Sequence, residues 1–243
     1  MSPAIALAAP LGALLSSPSP TPPGAGLGAP LAALAVAASA AWAIRAAYRG
    51  DRRGVYVFKP LTTILVLAAT LLVFTPADPR YQELILAGLV LSLAGDVFLM
   101  LSEARFLPGL ACFLAAQLVY AWAFTNGAGF DAAQLPWAAP FGFFAVMVVL
   151  VLWKGLPNAV MRGAVIVYAA AIGLMAWRAA ARLLAPGIPL PSGTAALAGA
   201  CLFLASDAVL ALNRFRRPFR LGEPVTLATY WAAQFLIGLS VQG

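Results

Sequence analysis

The sequence predicts an all-α, polytopic membrane protein of about eight transmembrane helices, and three observations predict it. Sixty-three per cent of the 243 residues are hydrophobic and only 9% are charged, against roughly a quarter charged in soluble domains. Mean hydropathy is +0.93. Apolar runs long enough for a crossing of ~20 residues recur along the chain, broken by Pro, Gly and charge.

These runs fall at about 30–48, 57–74, 82–101, 106–125, 137–153, 162–183, 194–213 and 225–241. The first is Ala-rich and the weakest in hydropathy. Their connections are short, so residues 30–243 are expected to form a single domain. Ahead of them, residues 1–29 start without basic residues and run into the Pro/Gly-rich stretch Ser16–Gly28, which reads as a flexible, uncharged leader.

Lys and Arg set the orientation. The connections after the first, third, fifth and seventh spans, with their helix ends, carry Arg45, Arg49, Arg52, Arg53, Lys59, Arg105, Lys154, Arg162, Arg214, Arg216, Arg217 and Arg220. The opposite side holds Arg80, Arg178 and Arg182. Twelve against three puts those four connections in the cytoplasm and both termini outside. A bacterial inner (cell) membrane is the expected location.

The net charge of +7 does not point to nucleic acid, because the basic residues lie between apolar segments rather than on a soluble face. There is no histidine, which excludes a Ser-His-Asp triad, a His-bearing zinc site and a haem His ligand. Cys112 and Cys201 lie in apolar segments without framework spacing and read as packing residues. Two Asp ligands without His make a dedicated metal site unexpected. No cofactor is expected.

Two aspartates stand out. Leu91–Leu99 (LSLAGDVFL) and Leu202–Leu210 (LFLASDAVL) share five of nine positions, Asp96 and Asp207 among them. A carboxylate at mid-membrane costs ~2.5–3.5 kcal/mol on insertion scales, so each asks for a function. Both fall five or six residues before the expected cytoplasmic end of their spans, ~8–9 Å inside it. The next span in each case contains Ala-Ala-Gln, at Gln117 and Gln234. A parallel duplication of two four-helix halves, related by an axis along the membrane normal, would give this arrangement.

Two carboxylates at one depth suit acid–base hydrolysis, since burial and mutual repulsion leave one protonated and one ionised. The bland alternative is that each caps a helix or pairs with a cation. Lys59, beside Pro60, could hold one carboxylate ionised, anchor a lipid phosphate, or snorkel to the interface. Asn213 could orient a head group or cap a helix end. Tyr230 and Gln234 are four apart and share a face, as do Gln117 and Tyr120, three apart; such faces should meet protein or a cavity rather than acyl chains. Tyr120 could instead join Trp122 in an outer aromatic belt. Ser92, Ser206 and Ser240 lack a suitably directed base and read as packing residues.

Taken together, Lys59-Pro60, Gly95-Asp96-Val97, the Phe106…Gly109…Phe113…Tyr120 stretch, Ser206-Asp207, Asn213-Arg214-Phe215 and Tyr230…Gln234 resemble the lysoplasmalogenase family, also called YhhN-like. The resemblance runs from about Phe58 to Ser240. It implies an eight-helix membrane hydrolase that cleaves the vinyl-ether bond of a lysoplasmalogen to a fatty aldehyde and a glycerophospho-base, with Asp96 and Asp207 as catalytic carboxylates. Lys59, Gln117, Tyr120, Asn213, Tyr230 and Gln234 are the candidate substrate-binding residues. One departure is Gln117, where a His is expected in many members; it puts the rate and the choice of ether lipid in doubt. The expected partners are a lysophospholipid substrate and the bilayer, with no nucleic acid and the oligomeric state left open. The alternative function is a proton-coupled transporter or lipid carrier using the same two aspartates. Its usual sign is Gly/Pro-interrupted, discontinuous helices at matching positions, and neither Asp segment is broken by proline.

Overall fold

The computed structural model describes residues 27–101 and 105–242. Eight α-helices follow in chain order: α1 (Gly28–Arg49), α2 (Arg52–Leu72), α3 (Pro79–Leu101), α4 (Phe106–Thr125), α5 (Ala138–Leu152), α6 (Ala159–Leu184), α7 (Leu190–Phe215) and α8 (Gly222–Leu239). Each coincides with one expected span. Most of the leader, residues 1–26, lies outside the described residues, and α1 begins two residues before the expected boundary at 30.

Helix starts differ from the hydropathy estimate where a cap decides them. Asp51 Oδ1 accepts from the Gly54 amide at 3.1 Å, so α2 starts at Arg52, five residues ahead of the apolar run. Asn158 Oδ1 likewise accepts from the Met161 amide at 2.9 Å and starts α6 early. A side-chain oxygen that satisfies an orphan amide stabilises polar residues in a first turn that hydropathy alone would leave out. Gly50, with φ of 70°, closes α1 in the left-handed conformation, and its amide returns to the Ala47 carbonyl.

Seven helical segments among the described residues are long and apolar enough to cross a membrane, α5 counting as one together with the 3-10 turns that flank it, over Ala132–Gly155. α8 is the one that falls short. Glu223, Thr226, Thr229, Tyr230 and Gln234 lower its hydropathy, and it packs against α7, α1, α2 and α3, with Tyr230, Trp231, Gln234 and Ile237 buried. Tyr230 and Trp231 donate to Asp96 and Thr63, and Thr226 and Thr229 to carbonyls one turn back, so these groups meet protein rather than lipid. α5 is the opposite case, since only Leu152 of its fifteen residues is buried.

Small residues fix the approach of α3 and α4. A Cβ at Gly88 would collide with the edge of the Tyr120 ring, and one at Gly95 would lie 2.6 Å from Phe113. The two glycines are seven apart on α3 and their aromatic partners seven apart on α4, so each missing side chain seats a ring of the antiparallel neighbour. This contact also sets the height of Asp96, next to Gly95. At the far end of the bundle, Arg178 of α6 donates to Thr125, to Gln134 and to the Gly129 carbonyl, tying down the connection between α4 and α5.

Candidate active site

Asp96 lies 17 residues after the start of α3 at Pro79, and Asp207 lies 17 residues after the start of α7 at Leu190. At 1.5 Å per residue both are ~25 Å along their helices.

Asp96 is 1% exposed. Lys59 Nζ lies 3.5 Å from its Oδ1, and Oδ2 accepts from Thr63 Oγ1 at 2.8 Å and from the Tyr230 hydroxyl at 2.9 Å. Trp231 Nε1 donates in turn to Thr63 Oγ1 at 3.3 Å. Lys59 and Thr63 are four apart on α2, and Tyr230 and Trp231 adjoin on α8, so two helices enclose the carboxylate of a third. A charge this far from water requires such pairing.

Asp207 meets a different set. Its Oδ2 accepts from the Tyr168 hydroxyl of α6 at 2.5 Å and from Gln117 Nε2 of α4 at 3.0 Å, and no Lys or Arg nitrogen of the described residues lies within ion-pair distance. Asp96 is therefore held by α2 and α8, Asp207 by α6 and α4. A shift of four helices turns α2 into α6 and α8 into α4, the correspondence a parallel duplication would produce.

The two carboxylates are linked through α4 and α8. One turn along α4 from Gln117, the Tyr120 hydroxyl donates to Gln234 Oε1 at 2.8 Å; one turn along α8 from Gln234 stands Tyr230, the Asp96 ligand. Tyr120 is fully buried while Trp122 is exposed, so Tyr120 belongs to this interior line and not to an aromatic belt. Within it, Ser92 Oγ, Gln117 Oε1 and Gln234 Nε2 are buried without a hydrogen-bond partner. Around it, the rings of Phe113, Phe203 and Tyr230 meet edge to face, with centroids 5.6 to 6.4 Å apart.

An apolar cleft with a cavity volume of about 70 Å³ opens between α4, α5, α6 and α7. Phe113, Phe144, Ile172 and Leu204 are typical of its walls, and Tyr168, Asp207 and Arg214 supply its polar side chains among the described residues. Asp96 is not in the lining. The structure thus brings Lys59 and Tyr230 to Asp96, Gln117 to Asp207, and Tyr120 to Gln234. Asn213 is brought to neither carboxylate: its Oδ1 accepts from the Phe219 amide at 2.9 Å and shapes the turn between α7 and α8.

Thr63 and Tyr168 touch the carboxylates without having been singled out from the sequence. Tyr168 left a signal, as a lone hydroxyl in the middle of the sixth apolar run. Thr63 left a weaker one, four residues from Lys59 on the same helical face.

The fold and geometry can be compared with known proteins. The YhhN family model matches residues 54–241. The human lysoplasmalogenase TMEM86B is 36% identical over 182 residues, 73% of this chain and 71% of the relative. Human lysoplasmalogenase TMEM86A is 34% identical over 178 residues, 72% of each chain. The uncharacterized membrane protein YhhN of Escherichia coli O157:H7 is 29% identical over 208 residues, 84% of this chain and 95% of the relative. No solved structure matches. The matched region takes in both aspartates and every helix that encloses them, and this chain belongs to the YhhN family.

Proposed function

We propose that this chain is a membrane hydrolase that cleaves the vinyl-ether bond of lysoplasmalogens, releasing a fatty aldehyde and a glycerophospho-base. The observation that carries the reading is a carboxyl group, Asp207, on the wall of an apolar cleft, in a chain related to proteins named lysoplasmalogenases.

Enol-ether hydrolysis begins with a proton delivered to carbon. Asp207, protonated and with no cation beside it, donates that proton to the β-carbon of the vinyl ether, and the π electrons leave an oxocarbenium ion at the carbon bearing oxygen. Tyr168 and Gln117 both act on Oδ2, stabilise the carboxylate that forms, and leave Oδ1 for the substrate. Water then adds to the cation and gives its proton back to Asp207. The resulting hemiacetal collapses to aldehyde and glycerol hydroxyl.

Asp96 acts one layer behind. Ionised beside Lys59, it fixes the Tyr230 ring, which packs against Phe113 in the cleft wall. Gln117 occupies the place where a His is expected in many relatives, and its amide serves here as a donor to Asp207.

The test is incubation of purified protein with lysoplasmalogen in D2O. Aldehyde and glycerophospho-base are expected in equal amounts, with solvent deuterium at the aldehyde α-carbon. Uptake or exchange of the lipid without aldehyde would favour the transporter reading instead.

A further inference from the structure

We propose that a groove between the last turns of α4 and the second half of α6 holds an anionic phospholipid of the bilayer, its phosphate meeting Arg178 and its chains lying along α4. The groove is at the opposite end of the bundle from the cleft that Asp207 lines, and the lipid is a resident of the membrane, not a substrate. The site stands or falls apart from the reaction proposed above.

Helical spacing makes the groove. Ala121, Trp122 and Thr125 follow Leu118 on α4 by three, four and seven residues, and Arg178 follows Leu174 on α6 by four, so each set is one stripe. The two stripes border a space of about 760 Å³. Leu118, Trp122 and Leu174 are exposed, and on spanning helices that surface meets lipid. Such walls take acyl chains. Toward the end of α4 the lining turns polar, with Thr125, Asn126, Gly127 and Gly129 beside Arg178.

Arg178 brings a charge that the protein leaves unbalanced. It is 1% exposed, and Arg182, one turn further on the same face of α6, is 4% exposed. Neither lies within ion-pair distance of a carboxylate among the described residues. Neutral groups hold Arg178 in place: Thr125 Oγ1 and Gln134 Oε1 accept at 2.9 Å each, the Gly129 carbonyl accepts as well, and the Phe130 ring centroid lies 4.2 Å away. These bonds engage three of the five guanidinium N–H groups, which leaves two for an anion. Arg182 donates to the Asn126 carbonyl and to Ser192, stacks on Tyr81, and has a buried Nε without a partner. The acids of this end are committed elsewhere. Glu83 pairs with Arg80 at 3.2 Å, Asp131 caps Ala133, and Asp78, whose charge Arg182 feels, accepts from the Arg80 amide and from Asn126 Nδ2. Two buried cations one turn apart repel each other and are costly without a counter-ion. A phosphate matches the guanidinium fork, and walls that open to the bilayer make a lipid its carrier.

The experiment reads Trp122, which lines the groove. Purified full-length protein is reconstituted in dioleoylphosphatidylcholine, and tryptophan quenching is followed as brominated phosphatidylglycerol or brominated phosphatidylcholine replaces it. The contribution of Trp122 is the difference from W122F. It should report a preference for the anionic lipid of about five-fold, the worth of one arginine facing an anionic lipid surface. R178Q should lose the preference. Because Arg178 also ties down the connection after α4, a second pair of variants leaves it in place. Gly127 stands in the groove lining with a φ of 76°, a conformation that Asn and Asp tolerate best after Gly. G127D adds a carboxylate there and should abolish the preference, whereas G127N adds the same bulk without charge and should keep it. Equal quenching of Trp122 by the two lipids in the wild type overturns the proposal and makes the groove ordinary bilayer contact. A preference that survives in either R178Q or G127D overturns it too, as does one that G127D and G127N lose alike, which would trace it to the shape of the rim.

Discussion

Asp96 and Lys59 balance each other at 3.5 Å, with Thr63 and Tyr230 donating to the second carboxylate oxygen, so removal of one partner leaves the other charged and buried. Lys59→Met should lower stability by about 3–5 kcal/mol. Adding Asp96→Asn to that variant should restore part of the loss, because the amide carries no charge to strand. Thermal unfolding of the two single variants and the double variant in detergent measures the coupling; additive losses would mean that the two groups do not interact. At this scale the sequence was legible wherever a charge or amide stood in an apolar run, as at Asp96, Asp207, Lys59, Gln117 and Gln234. Hydroxyls are less telling, since a Thr can satisfy its hydroxyl on the carbonyl one turn back, as Thr62 and Thr70 do here, and a Tyr is as common at the membrane interface as in a site. Thr63 and Tyr168 are two such cases. Asn213 was open between two readings, since at the end of a helix an amide that closes a turn and one that meets a head group have the same sequence context, and its bond from the Phe219 amide fits the first.

Elements fix the height and spacing of these groups, and the α3–α4 contact does so through what is missing. Gly88→Ala puts a methyl group into the space of the Tyr120 ring. The ring must move, and its hydrogen bond to Gln234 goes with it. Overpacking of this kind costs about 1–3 kcal/mol. We expect a destabilised protein with reduced turnover, whereas Gly142→Ala on α5, where no atom lies within 4 Å of the new Cβ, should leave the unfolding temperature unchanged or raise it; equal losses from the two substitutions would contradict the packing argument. All eight helices could be located from apolar runs because length and hydropathy are set by the bilayer. Their starts could not, since capping by Asp51 and Asn158 extends α2 and α6 into polar sequence. Nor could the exposure of α5, as its run of Phe, Val and Leu reads the same whether it faces protein or lipid.

At the scale of the molecule, the repeat seen in the two aspartate nonamers reappears as a pattern of contacts, with α2 and α8 around Asp96 and α4 and α6 around Asp207. The sequence carried the repeat but not the exchange of partners between halves, because the contacts join residues 90 to 134 positions apart. Orientation rests on the twelve-to-three distribution of basic residues. A reporter fused after Gly243 and active only in the cytoplasm should be silent; a strong signal would reverse the orientation and move Arg214 to the outer leaflet. In the proposed reaction Asp207 supplies the proton that opens the vinyl ether. This role is tested most directly by the rate of aldehyde release from lysoplasmalogen by purified Asp207→Asn protein relative to wild type. The amide, similar in shape but with no proton to give, should lower the rate by about 10²–10⁴-fold. A variant that releases aldehyde at the wild-type rate would contradict it.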